Sequence, residues 1–503
     1  FYRGDSGAQQ LLTNQYQKLA KTQLLIAMDA EWGVGMRLTD AMCFPKQMTL
    51  GALQDNKLIY EMGGEIARQL RAIGVHINFA PVIDVVVNSD VKKSAIGRRS
   101  FGADKCQVAD KGVAYIQGMQ ANGVTAVAKH FPGHGDTYKD SHKALPVITH
   151  DYDRIDHVEL FPFKKAIQAG VGGIMSAHLL VTACDDTVTS FSPKVITTLL
   201  KETLGFNGLC FTDALNMKAI SKDYGPGEAE VLALQAGNDV LVFSKDVPKA
   251  IRAIQQAIID KKLDQQAVHD KVKRILTHKY KRGLHRWKFS SVKIDWHNYL
   301  KRSVAYRIKQ RLFEQAITVV SNEDNLIPIK DTKNQSIASL SIICQSKAKQ
   351  KRYFPERVAI NDGSTEGLDT DHNLFVKALQ EHASIAHYTL VRETSTQAQV
   401  DEIAQSLSHY STVIVGIHNL QSYKKQYGFT QAELQLLQTL KKRTKLIVVP
   451  LGNVHSLKCF TNYRNVIAAY EDDPMAMTAT AKIIFGALPA RGKLPISISD
   501  NWP

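Results

Sequence analysis

TAVAKHFPGHGDTYKDSHKALP, residues 125–146, opens with an apolar run that ends abruptly in Lys129-His130. A short run, apolar on both sides and closed by charged residues, reads as a parallel strand buried on two faces. The same rhythm recurs through the first 245 residues. Runs at 24–29, 76–82, 124–130, 173–178, 209–213 and 239–243 are short and apolar. Amphipathic stretches of helical period, such as 57–73, 107–122 and 160–169, lie between them. An all-β reading fails on that intervening helical period.

Six such repeats fit either a doubly wound sheet or a (β/α) barrel. The barrel is favoured by where the polar residues fall. Asp29, Asp84, Lys129-His130, His178 and Asp213 all stand at or just after the ends of different strands. In a barrel those ends converge on one face, where the site is built. The expected fold is therefore a (β/α)8-type TIM barrel over residues 1–285. An eight-stranded barrel would place its first strand before Phe1, truncated, and leave one further strand irregular. A Lys-, Arg-, His- and Trp-rich stretch, 286–315, reads as a helical linker. A second α/β pattern follows over 316–503, with strands expected at 337–344, 413–417, 446–450 and 466–470 and a helix at 431–442. These strands also read as parallel and predict a three-layer α/β/α sandwich. This second region carries no concentrated His/Asp/Glu cluster.

Bulk properties narrow the function classes. The 503 residues are 44% hydrophobic and 22% charged, an ordinary globular balance. No apolar run approaches the roughly 18 residues that a membrane span needs, so no membrane span is expected. The net charge of +15 is dispersed, with short clusters only at 347–352 and 441–443. Without a basic stripe interleaved with aromatics, it reads as a solvated basic surface rather than a nucleic-acid footprint. Six scattered cysteines without a C-x-x-C pattern suggest buried thiols, not a disulfide framework or a zinc site. The chain begins Phe1-Tyr2-Arg3 without an initiator Met, which leaves periplasm and cytoplasm both open.

The opening stretch offers three chemistries. His130 and His134 have the i, i+4 spacing of helix-borne metal ligands. Pro132, Gly133 and Gly135 break any helix there, and no H-E-x-x-H glutamate accompanies them, so no metal is expected. A phosphate loop lacks its lysine, and Asp136 would repel an anion. The third chemistry is acid–base. Asp140-Ser141-His142 places a carboxylate two residues from an imidazole, and in an extended loop both point the same way. The aspartate can fix the tautomer and raise the basicity of the ring. On these three residues alone, an Asx turn beside a solvated histidine is the plainer reading. Asp213 changes the balance. The buried run 208–212 delivers one carboxylate to the same barrel face, where it could attack an acetal carbon or merely cap a following helix. A nucleophile with a separate proton donor is the requirement of a retaining glycosidase.

At this point the residues match a known pattern. Lys129-His130-Phe131-Pro132-Gly133-His134-Gly135-Asp136-Thr137, followed by Asp140-Ser141-His142, resembles glycoside hydrolase family 3 in its bacterial β-N-acetylglucosaminidase branch. Met28-Asp29-Ala30-Glu31, Arg99-Ser100-Phe101-Gly102 and Phe211-Thr212-Asp213 match further family segments in order. Asn325-Leu326-Ile327-Pro328 and Gly492-Lys493-Leu494-Pro495 resemble the start and end of the family's second domain. The resemblance spans nearly the whole chain.

It implies a retaining exo-acting β-N-acetylglucosaminidase that needs no cofactor, acting on cell-wall (muropeptide) or chitin-type fragments in a bacterium, as in peptidoglycan recycling. It implies Asp213 as nucleophile and His142 as acid/base, polarised by Asp140. It also implies that Asp29, Arg37, Arg99, Lys129 and His130 bind the sugar. His134 and Asp136 read as loop-shaping residues. Two residues depart from the pattern. Ala214 stands where many relatives carry a second Asp, and Trp32 where Gly is common. The family's β-glucosidases usually place a Trp after the nucleophile and take their acid from elsewhere. Ala214 and the Asp-Ser-His loop therefore argue against that activity. Phosphorolysis in place of hydrolysis, and sugar binding without catalysis, stay open on the sequence, as does the oligomeric state.

Overall fold

The computed structural model describes residues 4–87, 95–137, 145–286, 303–343, 374–392, 394–418, 420, 425–499 and 502. Two compact units divide the chain, one holding residues 1–51 and 55–308, the other 52–54 and 309–503.

The first unit is wound on a five-stranded parallel sheet. Its strands are β1 (Ala27–Met28), β2 (Ile77–Asn78), β3 (Thr125–Phe131), β5 (Gly173–Ser176) and β7 (Leu209–Thr212). Between the last of these lie two short strands, β4 (Val147–Ile148) and β6 (Leu180–Val181), which pair with each other outside the main sheet. The main order is β1-β2-β3-β5-β7, which is sequence order. A doubly wound sheet reverses its order at a switch point; this one does not, so the winding is that of a (β/α) barrel.

The run expected at 239–243 continues the series only as a parallel bridge between Phe211 and Val240. Its backbone turns away at Phe243, which has a φ of 54°. Helices Lys57–Ala72, Lys105–Ala121 and Leu160–Gln168 fill the intervals between strands. The second of them starts where Asp104 accepts from the Cys106 and Gln107 N–H groups. Ile77, Val127, Met175, Leu209 and Phe211 converge in the interior with Ala27, Phe79 and Val240. Ile275, from helix Gln265–Lys281, joins the same cluster. His278 of that helix meets the Thr125 hydroxyl at the start of β3 (2.7 Å). The amino ends of the strands are thus closed by packing, and the polar strand ends lie at the opposite side.

The second unit holds a six-stranded sheet. Its strands are β8 (Thr318–Asn322), β9 (Ile337–Ile343), β10 (Ala386–Val391), β11 (Thr412–Ile417), β12 (Lys445–Pro450) and β13 (Asn465–Ala468). They are ordered β10-β9-β11-β12-β13-β8, all parallel except β8, which runs antiparallel to β13. One face carries Ile414, Ile447, Val449 and Ile467, packed with Phe375 and Leu379 of helix Leu374–Gln380 and Met477 of helix Pro474–Ile484. Residues of the opposite parity, such as Val413, Val415 and Val448, are also buried. Helices Gln397–Leu407 and Gln431–Arg443 pack against each other. Burial on both faces makes this an α/β sandwich. The four strands expected here are parallel neighbours. The expectation did not include β8 and β10, the two edge strands.

Candidate active site

The site is assembled from the carboxyl ends of the first unit's strands. Asp29 directly follows β1. Its carboxylate receives Arg37 Nη2 at 2.7 Å and Lys129 Nζ at 2.9 Å. Arg37 also donates Nε to the Asp29 carbonyl (3.2 Å), which holds the guanidinium over that turn. Burial pushes the Asp29 pKa up. The Lys129 charge and hydrogen bond, with Arg37, outweigh it and hold the carboxyl below its ordinary value. With 35% of its side chain exposed, Asp29 remains reachable.

Lys129 and His130 both serve this face because β3 is irregular. Lys129 pairs with Met175 and Phe131 with Ser176, so His130 has no counterpart on β5. In a regular strand neighbouring side chains point to opposite faces; a bulge re-aims them. Lys129 reaches Asp29 and also Glu31 (3.0 Å). Its pKa is raised: burial opposes the charge, but the two carboxylates favour it more strongly. His130 Nδ1 meets Asp84 Oδ2 at 2.7 Å, and Arg99 Nη2 lies 3.5 Å from its other ring nitrogen. Arg99 sits in the turn Gly97–Arg99 and forks onto Glu31, with Nη2 to Oε1 at 2.6 Å and Nε to Oε2 at 3.1 Å.

Asp84 is fully buried. Besides His130 Nδ1, it accepts from the His130 N–H (3.1 Å) and the His134 N–H (2.7 Å). Burial alone would raise its pKa, yet these partners lower it. His134 bonds through Nδ1 to the Thr137 hydroxyl, and burial brings its pKa down to about 4. It is therefore neutral at pH 7. The glycines here permit close approach. Gly133 has a φ of 139°, and a Cβ at Gly135 would lie 2.0 Å from the Val85 carbonyl oxygen.

Asp213 follows β7. Its N–H donates to the Ser176 carbonyl (2.9 Å), which extends the pairing with β5 by one bond. Its carboxylate accepts from the Ala214 N–H (2.8 Å). The nearest following helix begins at Lys218 with Met217 at its cap, so Asp213 is not a helix cap. Burial raises its pKa, but His130, His178, the Ala214 N–H and Lys129 together lower it, and the group is ionised at neutral pH. His178 is buried beside it. Its Nε2 donates to the Ala214 carbonyl (3.2 Å), which requires the proton there, and Nδ1 accepts from Ser190 (2.8 Å).

The sequence-derived residues Asp29, Arg37, Arg99, Lys129 and His130 thus form one linked cluster, with Asp213 in its electrostatic reach. Asp140 and His142 lie outside the described residues. On one side of that segment Asp136 is held by His150 (2.8 Å) and Thr137 by His134. On the other, Leu145 packs beside Phe191 and Tyr224. Glu31, Asp84 and His178 were not among the site residues chosen from sequence. Glu31 had a signal, its i, i+2 spacing from Asp29 across a strand end. Asp84 and His178 had one too, as polar residues at strand ends. Among the described residues no group of three or more His, Cys, Asp or Glu is placed to hold a metal ion. No helix among them is long and apolar enough to cross a membrane.

The chain is similar to several known proteins. Residues 4–278 match the model described as "Glycosyl hydrolase family 3 N terminal domain". A protein named β-hexosaminidase A from Pseudoalteromonas piscicida is 28% identical over 97% of this chain and 86% of its own length. A protein named β-hexosaminidase from Nitrosomonas eutropha is 34% identical over 51% of this chain and 78% of its own. Among solved structures, a family 3 β-N-acetylglucosaminidase from Paenibacillus sp. str. FPU-7 superposes with a TM-score of 0.79 at 30% identity. That match covers 98% of this chain and 91% of the other.

Proposed function

Since the chain belongs to glycosyl hydrolase family 3, we propose that it is a retaining, exo-acting β-N-acetylglucosaminidase that cleaves terminal β-linked N-acetylglucosamine from bacterial cell-wall or chitin-type fragments. The observation that carries the reading is Asp213. It is an ionised, partly exposed carboxylate at a barrel strand end, facing a cluster of sugar-competent charged groups. The names of the relatives from P. piscicida and Paenibacillus support the choice of sugar.

In this reading Asp213 attacks the anomeric carbon as the bond to the aglycone oxygen breaks. His142, oriented by Asp140, gives that oxygen its proton. Water then attacks the glycosyl–Asp213 ester, His142 takes the water proton, and the carboxylate is released. Asp29 accepts from sugar hydroxyls, while Lys129, Arg99 and His130 supply further polar contacts. Arg37 holds Asp29 in place. Charged partners make stronger and more directional hydrogen bonds to hydroxyls than neutral ones. Every group in both steps belongs to the protein, so no cofactor is invoked.

A panel of aryl β-glycosides tests the proposal. The N-acetylglucosaminide should be cleaved far faster than the glucoside, at a rate independent of phosphate, with free N-acetylglucosamine released as the β anomer. Preference for the glucoside would overturn the sugar assignment. A sugar phosphate product formed only with phosphate present would replace hydrolysis by phosphorolysis.

A further inference from the structure

We infer that Glu31 is a positioning residue of this site, a single buried carboxylate that sets where Lys129 and Arg99 present their charges to the sugar. The inference rests on the proposal above that these two cations bind the substrate. Glu31 itself has no exposed surface and cannot meet a ligand directly. Its Oε1 takes Arg99 Nη2 at 2.6 Å and Lys129 Nζ at 3.0 Å, and Oε2 takes Arg99 Nε at 3.1 Å. One carboxylate therefore fixes the plane of the guanidinium and one of the three donors of the ammonium. Asp29 Oδ1 takes a second lysine donor at 2.9 Å. With two of three directions fixed, the third is defined by tetrahedral geometry. Arg99 keeps three N–H groups beyond the fork.

The backbone that carries Glu31 is itself clamped. Asn78 Oδ1 accepts from the Ala30 N–H (2.9 Å), and Asn78 Nδ2 donates to the Ala30 carbonyl (3.2 Å). Tyr115, fully buried, places its hydroxyl 3.2 Å from both the Ala30 and Glu31 carbonyl oxygens. Such anchoring is superfluous for a surface ion pair. It is what holding two cations to a fraction of an ångström requires. Charge counts in the same direction. Lys129 and Arg99 repel each other, and Glu31 offsets both.

Glu31→Gln keeps the shape and removes the charge. With wild-type enzyme cleaving the aryl N-acetylglucosaminide, we expect kcat/KM to fall roughly 10- to 100-fold, the range of a lost charged hydrogen bond. The pH profile separates positioning from mere structure. Asp29 faces Lys129, Arg37 and Glu31, while Asp213 faces His130, His178 and Lys129. Removing a negative charge leaves the cations uncompensated and favours ionised Asp29 and Asp213, so the acid limb of kcat/KM should move to lower pH. A purely structural loss would scale the rate with the folded fraction and leave the limb in place.

Glu65→Gln serves as the control. Glu65 is also buried in this unit, but its partners are Arg68 and Gln69 on its own helix Lys57–Ala72, and activity should be unchanged. Should Glu31→Gln not fold, Glu31→Asp decides. One methylene shorter, it keeps the charge but cannot span both cations. We expect kcat/KM per folded molecule to fall, with the folded fraction read from thermal unfolding; full activity, or a loss no larger than the lost folded fraction, would overturn the inference. If the wild type does not cleave the substrate, the functional proposal fails. If it does and Glu31→Gln behaves as Glu65→Gln, only the role of Glu31 fails.

Discussion

The sheets of the two units are both built on parallel strands buried on two faces, yet their carboxyl ends differ. In the first unit the strands are short, two to seven residues; Asp29 and Asp213 directly follow β1 and β7, Lys129-His130 lie near the end of β3, and Asp84 lies beyond β2. In the second, β9, β11, β12 and β13 end in Ile343, Ile417, Pro450 and Ala468; His418, after β11, is hydrogen-bonded to Asp472 at 2.8 Å, and Arg392, after β10, pairs with Glu433 at 2.9 Å. The second sheet sets a single carboxylate against a single base in each of these contacts. The first links several buried charges through shared partners. Burying charge costs several kcal/mol per ion unless partners are close and well aligned. The first unit meets that condition by pairing three carboxylates, Asp29, Glu31 and Asp84, with Arg37, Lys129, Arg99 and His130. Parallel architecture is shared, and what separates the two sheets is the linked cluster of charges in and just after the strand ends of the first.

That contrast can be broken most directly at Asp213. Asp213→Asn should lower kcat on the aryl N-acetylglucosaminide by about ten-thousand-fold, the order found when one member of a catalytic set is lost. Thermal unfolding should be nearly unchanged. Activity within tenfold of wild type would end the nucleophile assignment. The mirror experiment lies in the second sheet. Ile447 is fully buried between helices and carries no chemistry. Ile447→Ala should cost about 2–5 kcal/mol of stability through the cavity it leaves. Denaturant midpoints measure the loss, and kcat per folded molecule should stay at the wild-type value.

A smaller effect is expected at Asp84, where three donors meet two oxygens. Asp84→Asn removes the charge and one acceptor, so at least one of the His130 and His134 contacts must be given up. We expect KM to rise and kcat/KM to fall by roughly 10- to 100-fold. Unchanged constants for the aryl substrate would mean that His130 needs no anchor.

The contrast also explains what was legible in the sequence. Barrel winding followed from short apolar runs that end in charge, and five of the eight proposed site residues form one cluster. Glu31 was harder to see. In a strand, i and i+2 share a face, but β1 ends at Met28, and nothing local says that residue 31 turns inward to meet residues 99 and 129. Asp84 was visible as a polar residue at a strand end, but its role was not, since its partners lie 46 and 50 positions away. Long-range pairing of buried charges leaves no periodic trace. In the second unit β8 and β10 escaped because they are edge strands. Most of their residues are only half-buried, so neither the continuous apolar run nor a clean alternation is present.

The last and smallest test uses acid. Burial holds His76, His134 and His278 in the first unit, and His387 in the second, at pKa values of about 4. Arg282 adds to the effect at His76 and His278. In the unfolded chain each would titrate near its ordinary value of about 6.5. Folded pKa values below unfolded ones mean that the unfolded state binds more protons between those limits. The stability is complete above about pH 6.5 and is lost as pH falls toward 4, by at most about 1.4 kcal/mol per pH unit for each histidine. Three such groups against one should make the first unit the more acid-sensitive. Its aspartates, held below ordinary values, respond only at lower pH still. Hydrogen exchange at pH 7 and pH 5 reads the difference. Peptides around His76 and His278 should gain exchange before those around His387. The reverse order would mean that the strand-end charges of the first unit, not its buried imidazoles, govern its response to acid.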